Sequence, residues 1–131
     1  MFNFADVYVR EYVISKIITD LPEINVIPGE CHYNFQCHHN SAHYALKNKH
    51  EFLTIGFYID NDYPIIHFLN NVNGDFVDNT LGEHTVKYKH YFLKKIYKED
   101  FHEVDNIFGE LRKEIRNKLP WYLKLFSKYN C

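Results

Sequence analysis

The stretch PIIHFLNNVNGDFVDNT, residues 64–80, indicates the fold more clearly than any other part of the chain. Asn73-Gly74 is a preferred dipeptide for a two-residue hairpin turn, because both positions of that turn need a positive φ angle. β-Branched and aromatic residues lie on both sides of the dipeptide, as expected for strands. The stretch therefore predicts two antiparallel strands joined at Asn73-Gly74.

The predicted turn also fixes which side chains share a face of the hairpin. Alternate residues of a strand point the same way, so one face is predicted to carry His67, Leu69, Asp78 and Thr80. His67 and Asp78 are then diagonal neighbours, with Cα atoms roughly 7–8 Å apart. An imidazole and a carboxylate can bridge that separation. Asn79 is predicted to lie on the opposite face, with Phe68 and Val77.

Strands are also predicted on either side of this hairpin. EFLTIGFYID, residues 51–60, is rich in β-branched and aromatic residues, and the NDYP that follows predicts a turn. HTVKYKHYFLKKI, about residues 84–96, alternates in part and predicts another strand. Together these segments predict a small antiparallel sheet.

The segments outside the sheet have helical patterns. An apolar stripe predicts a helix over about residues 4–20, and a short irregular link follows it. Ala42 and Ala45 favour a helix that ends near residue 48. Asp100 and Glu103 resemble a capping box before a second stripe, and residues 121–131 predict a short amphipathic helix. The expected class is α+β, with N-terminal and C-terminal helices around the sheet in one domain, residues 1–131.

Composition excludes several classes of function. The formal net charge is −2, so the whole chain has no electrostatic drive toward nucleic acid or anionic membranes. Three cysteines without a disulfide pattern, and the absence of a signal-peptide or membrane-span pattern, predict a cytoplasmic protein. Abundant Asn, Lys, Ile, Tyr and Phe with scarce Arg are typical of AT-rich coding sequence, viral or bacterial.

A cysteine directly before a predicted helix is a candidate reactive residue to act together with those of the hairpin. QCHHNSAHYALK, residues 36–47, places Cys37 where the helix dipole and unpaired backbone N–H groups favour a thiolate. A histidine oriented by a carboxylate is the base half of a nucleophilic triad. His67 and Asp78 fit that half, and Cys37 is a candidate for the nucleophile.

The order of these residues resembles the papain-like and transglutaminase-like cysteine superfamily. CHHNSAHYA, residues 37–45, is similar to its catalytic-helix motif, and HFLNNVNGDFVDNT, residues 67–80, is similar to its His-to-Asp block. The resemblance covers roughly residues 30–80. It implies Cys37 as nucleophile, His67 as general base and Asp78 as the residue that orients the histidine.

The resemblance also implies an activity and leaves some positions open. It implies a small hydrolase or acyltransferase that acts on amide or peptide bonds through a thioester, as a thiol protease, amidase, deamidase or transglutaminase. On this basis we expect a protein or peptide as substrate or partner, and no cofactor. Gln36 and Asn40 are the candidates for supporting the site or holding an oxyanion. Phe68-Leu69 stand where the family often has Ala-Trp, and Asn79 stands where it has Pro.

Two other functions fit the same residues. The departures and the aromatic share of 18% allow an inactive papain-like scaffold that binds a partner, such as a viral protein that masks a host factor. A zinc-binding domain would draw its ligands from the set Cys31, His32, Cys37, His38, His39 and His43. The cysteine spacing is too wide for a zinc knuckle and no second half-site follows, so we predict no metal ligands.

Overall fold

The computed structural model describes residues 4–34 and 36–124, and these residues form an α+β fold around one mixed sheet. The helices are α1 (Phe4–Lys16), α2 (Cys37–Lys47), α3 (Val104–Lys118) and the short α4 (Trp121–Lys124). The strands are β1 (Glu23–Ile24), β2 (Val26–Pro28), β3 (Phe52–Asp60), β4 (Tyr63–Val72), β5 (Asp75–Asp78) and β6 (Lys89–Tyr97). The predicted α+β class is confirmed.

The sheet has six strands in the order β1-β6-β3-β4-β5-β2, which differs from the small antiparallel sheet predicted. Strands β1 and β2 lie in the segment interpreted as an irregular link, and β2 pairs in parallel with β5. These two strands are too short to show an alternating pattern. Pro28 also suggested a break, yet a proline is tolerated at the end of an edge strand.

Two-residue turns join β3 to β4 and β4 to β5. Asn73 and Gly74 have φ angles of 52° and 87°, and Asn61 and Asp62 have φ angles of 47° and 66°. Positive φ at both central positions is what a type I′ hairpin requires. The predicted register is confirmed where the strands pair, with Val72 opposite Asp75.

Strand β6 returns to the far side of β3, so the strands do not follow one another as a simple meander. Gly56 permits this pairing, because a Cβ at that position would lie on the carbonyl oxygen of Tyr91. Residues 84–87, which were predicted to begin this strand, lie instead in a 3₁₀ helix over Gly82–Lys87. Alternating polar and apolar residues fit either structure over so short a stretch.

A single layer of helices covers one face of the sheet. The core packs α1, α2 and α3 against alternate residues of the central strands. The helices contribute Val13, Ala45, Leu111 and Ile115, and the strands contribute Ile55, Phe57, Ile66 and Phe68. Each large apolar side chain buried in this way stabilises the fold by roughly 1.5–3 kcal/mol. The helix layer therefore fixes α2, whose first residue is Cys37, against β4, which carries His67.

The helix boundaries differ from prediction at three points. The first helix ends at Lys16, and a 3₁₀ turn follows over Ile18–Asp20. The capping box at Asp100 and Glu103 is wrong, because these residues belong to a 3₁₀ helix and α3 begins at Val104 without a side-chain cap. Most of the helix predicted for residues 121–131 lies outside the described residues. No helix in the described ranges is long and apolar enough to cross a membrane.

Candidate active site

Cys37, His67 and Asp78 form a hydrogen-bonded chain inside the protein. His67 Nε2 donates to Asp78 Oδ2 over 2.8 Å, and the imidazole is also hydrogen-bonded to the Cys37 thiol. Nε2 faces Asp78, so Nδ1 is the ring nitrogen left to meet the sulfur. All three side chains are buried, with relative exposures of 2%, 3% and 0% in chain order. The three residues that the sequence singled out are thus brought together.

Asp78 is held as a carboxylate by its neighbours. Burial alone would raise its pKa, but hydrogen bonds from His67 and from the backbone N–H groups of Leu81 and Thr80 outweigh burial and lower the pKa to about 2. Both backbone donors meet Oδ1 at 2.9 Å, which leaves Oδ2 for the imidazole. The end of β5 therefore fixes both the charge and the orientation of this side chain.

His67 carries a stabilised positive charge. Burial by itself would lower its pKa, but hydrogen bonds to Asp78 and Cys37 and their negative charges raise the pKa to about 10. The imidazole and the ring of Tyr58 form a T-shaped pair, with centroids 4.9 Å apart. Burial also lowers the pKa of the neighbouring His90, so the positive charge stays on His67.

A second polar network lies behind the site, and we call it the amide bridge: Ser41, Asn70 and Asn79. Asn79 Nδ2 donates to Asn70 Oδ1 over 2.9 Å, and Asn70 Nδ2 donates to the Ser41 carbonyl over 2.8 Å. The Ser41 hydroxyl donates to the carbonyl of Phe68 over 2.9 Å. All three members of the bridge are buried, so each bond is shielded from water.

The amide bridge positions the three candidate residues through their chain neighbours. Ser41 lies one helical turn after Cys37, and Asn79 directly follows Asp78. The carbonyl that accepts from Ser41 belongs to the residue after His67. The bridge was missed because strand asparagines were not considered as partners, although Asn79 was predicted on the face of Phe68. Alternation places Asn70 on that face too, which was the available signal.

The two candidates for supporting the site differ in their contacts. Asn40 Nδ2 donates to Thr80 Oγ1 over 3.1 Å and to Asn34 Oδ1 over 3.0 Å, which occupies both amide hydrogens. Asn40 therefore ties α2 to the segment after Asp78. Gln36 precedes the helix, and its Oε1 accepts from His39 Nδ1 over 3.1 Å. An oxyanion role stays a prediction for both.

The residues of the alternative zinc set do not converge on one site in the structure. The Cys37 thiol faces His67, whereas Cys31 is exposed and pairs through its backbone with Leu81. His38 and His39 meet Asp105 rather than either cysteine. Searches of protein-family models, of curated proteins and of solved structures find no match to this chain.

Proposed function

We propose that the protein is a small cytosolic cysteine hydrolase or acyltransferase with a papain-like or transglutaminase-like core, acting on an amide or peptide bond. One observation carries the proposal: a buried thiol at a helix start is hydrogen-bonded to an imidazole that donates to a buried carboxylate. A nucleophile, a base and a residue that orients the base are the parts that covalent acyl transfer needs.

Acylation begins from a thiolate–imidazolium pair, because the raised pKa of His67 places the thiol proton on His67 Nδ1. The Cys37 thiolate attacks the carbonyl carbon of the substrate. The C=O electron pair moves to oxygen, and backbone N–H groups at the start of α2 are suited to stabilise that oxyanion. When the C–N bond breaks, His67 returns its proton to the leaving amine. The product of this half-reaction is a thioester on Cys37.

Deacylation repeats the same proton transfers with a new acceptor. His67 takes a proton from the acceptor as it attacks the thioester carbonyl, and the proton then goes to the departing Cys37 sulfur. Water as acceptor gives a protease, amidase or deamidase, and an amine gives a transglutaminase. Asp78 stays ionised throughout, because its role is to hold the tautomer and stabilise the imidazolium.

Thiol labelling tests the proposal, because activation and exposure predict opposite results. Cys31 is exposed and Cys37 is 2% exposed. With limiting iodoacetamide and mass-spectrometric site assignment, we expect Cys37 to be alkylated faster than Cys31. An ordinary buried thiol is unreactive, so faster labelling of the buried cysteine would indicate that its thiol is activated. His67→Gln should slow labelling at Cys37. Cys31→Ala is the control and should not change that rate.

The labelling experiment also has a result that removes the proposal. Cys37→Ala should abolish the fast labelling and keep the far-UV circular dichroism spectrum of the wild type. Labelling confined to Cys31 and Cys131 in the folded wild-type chain would contradict an activated Cys37.

A binding module on the same scaffold is the alternative, and exposed aromatic side chains favour it. Tyr33 and Trp121 are 84% and 75% exposed, far more than aromatic rings in a core. On this alternative, Cys37→Ala retains the biological effect of the protein, whereas Tyr33→Ser or Trp121→Ser abolishes it. On the enzyme proposal the outcomes are reversed, so the same set of variants separates the two functions.

A further inference from the structure

A cluster outside the proposed triad brings two imidazoles to one carboxylate. His38 and His39 lie in the first turn of α2, and Asp105 lies in the first turn of α3. His38 Nε2 lies 2.9 Å and His39 Nε2 lies 2.8 Å from the same oxygen, Asp105 Oδ1. One ligand atom from each of the three residues lies within 4.8 Å of the others.

The hydrogen bond at His39 Nδ1 determines whether Nε2, the nitrogen that faces Asp105, carries a proton or a lone pair. Gln36 Oε1 lies 3.1 Å from His39 Nδ1, and an amide oxygen can only accept. Nδ1 therefore carries the proton, so a neutral His39 directs the Nε2 lone pair at the Asp105 carboxylate. Two facing lone pairs at 2.8 Å repel each other unless a cation lies between them or the imidazole gains a second proton.

The outer hydrogen bond of His39 matches that of metal-binding histidines. Such histidines usually donate the other ring N–H to a carbonyl or carboxylate, as His39 does to Gln36. His38 is held in place by stacking on Phe108, with ring planes 10° apart. Asp105 is 69% exposed, so it can move outward by the roughly 0.5 Å that tetrahedral coordination at ligand distances of about 2.1 Å requires.

We propose that His38, His39 and Asp105 bind one divalent transition-metal ion, with zinc as the representative, and leave its remaining coordination to solvent. Imidazole nitrogen and carboxylate oxygen are ligands that zinc accepts. This set differs from the cysteine-containing set considered from the sequence, and it departs from the expectation of no metal. The ion would connect the start of α2 to the start of α3. It does not depend on the proposed acyl transfer.

Zinc titration of the untagged chain tests this site. In a background with all three cysteines changed to alanine, isothermal titration calorimetry should show uptake of one zinc ion per chain. His39→Gln and Asp105→Asn should each abolish this uptake. His43→Gln is the matched control, because His43 is exposed one turn further along the same helix and should leave the affinity unchanged. Gln36→Ala should weaken binding by about tenfold, since it removes only the outer hydrogen bond.

Cobalt gives a second measurement in the wild-type chain, which does not depend on the cysteine-free background being folded. Bound Co²⁺ should show ligand-field bands without a thiolate charge-transfer band, and His39→Gln should remove the ligand-field bands. Absence of stoichiometric uptake, or uptake that survives both His39→Gln and Asp105→Asn, would mean that the cluster is only a proton-shared ion pair. Loss of uptake in His43→Gln would move the ion to the His39–His43 pair and overturn the proposed set.

Discussion

Asp78→Asn separates the charge of the carboxylate from its shape. The asparagine oxygen can still accept from the backbone N–H groups of Thr80 and Leu81, so the end of β5 keeps these contacts. The new amide would face His67 Nε2 as a donor. A neutral imidazole must then accept at Nε2 and carry its proton on Nδ1, toward Cys37. In that tautomer His67 cannot take the thiol proton.

The size of the effect follows from the pKa of Asp78. The pKa falls from its ordinary value of 3.8 to about 2, which at about 1.36 kcal/mol per unit corresponds to about 2–3 kcal/mol of stability at pH 7. A group with a lowered pKa stabilises the fold above its unfolded value and loses that contribution as the pH falls. The advantage of the wild type over Asp78→Asn should therefore disappear between pH 4 and about pH 2.

Two measurements check this prediction. Urea unfolding followed by circular dichroism at pH 7 should give a free energy of unfolding about 2–3 kcal/mol below wild type. If the same interaction stabilises the imidazolium in the reactive pair, alkylation of Cys37 should slow by roughly 30- to 100-fold. Asp75→Asn is the matched control, because Asp75 is exposed at the start of the same strand. A folded Asp78→Asn protein that alkylates at the wild-type rate would refute the reasoning.

Three further predictions concern stability, each measured by urea unfolding. The difference in free energy of unfolding between wild type and His67→Gln should be largest below pH 6.5 and should decrease as the pH rises through about 10. The reason is that a raised pKa stabilises the fold only while the folded state holds the extra proton. A difference that increases over this range would contradict the raised pKa of His67. Asn70→Ala should cost about 2–4 kcal/mol, because it leaves buried hydrogen-bonding groups of the amide bridge unpaired. Gly82→Ala should destabilise the fold by about 1–3 kcal/mol, since Gly82 has a φ of +56° and a Cβ there would lie 2.8 Å from Cys31. Gly109→Ala should stabilise the fold by about 0.5–1 kcal/mol, because Gly109 lies in α3 with open space around it. Equal effects at the two glycines would show that helix propensity and backbone strain are not the causes.

Local chemistry explains which parts of the fold could be predicted. The β4–β5 hairpin depends on the positive φ angles of Asn73 and Gly74, a preference written in two adjacent residues. Its register then placed His67 beside Asp78. The parallel pairing of β2 with β5 could not be predicted in this way, because it joins segments about 50 residues apart and leaves no local pattern.

Distance along the chain also limited what could be predicted for the site. The approach of Cys37 to His67 was suggested by triad chemistry and by family resemblance but could not be derived from the sequence, because it depends on how α2 packs against β4. The proposed metal site needs Asp105, which comes 66 residues after His39 and was assigned no role from the sequence. His38 and His39 were considered as candidate ligands, but only in a set with cysteines and histidines of the same part of the chain.

The amide bridge has an evolutionary consequence. The hydrogen bonds of the amide bridge join α2, β4 and the end of β5 without passing through the Cys37 thiol, the His67 ring or the Asp78 carboxylate. Substitutions at Cys37 can therefore accumulate while the bridge keeps these elements together. A descendant that exchanged chemistry for binding should retain the two buried asparagines and be free to vary at position 37. The framework, rather than the nucleophile, would then mark common ancestry.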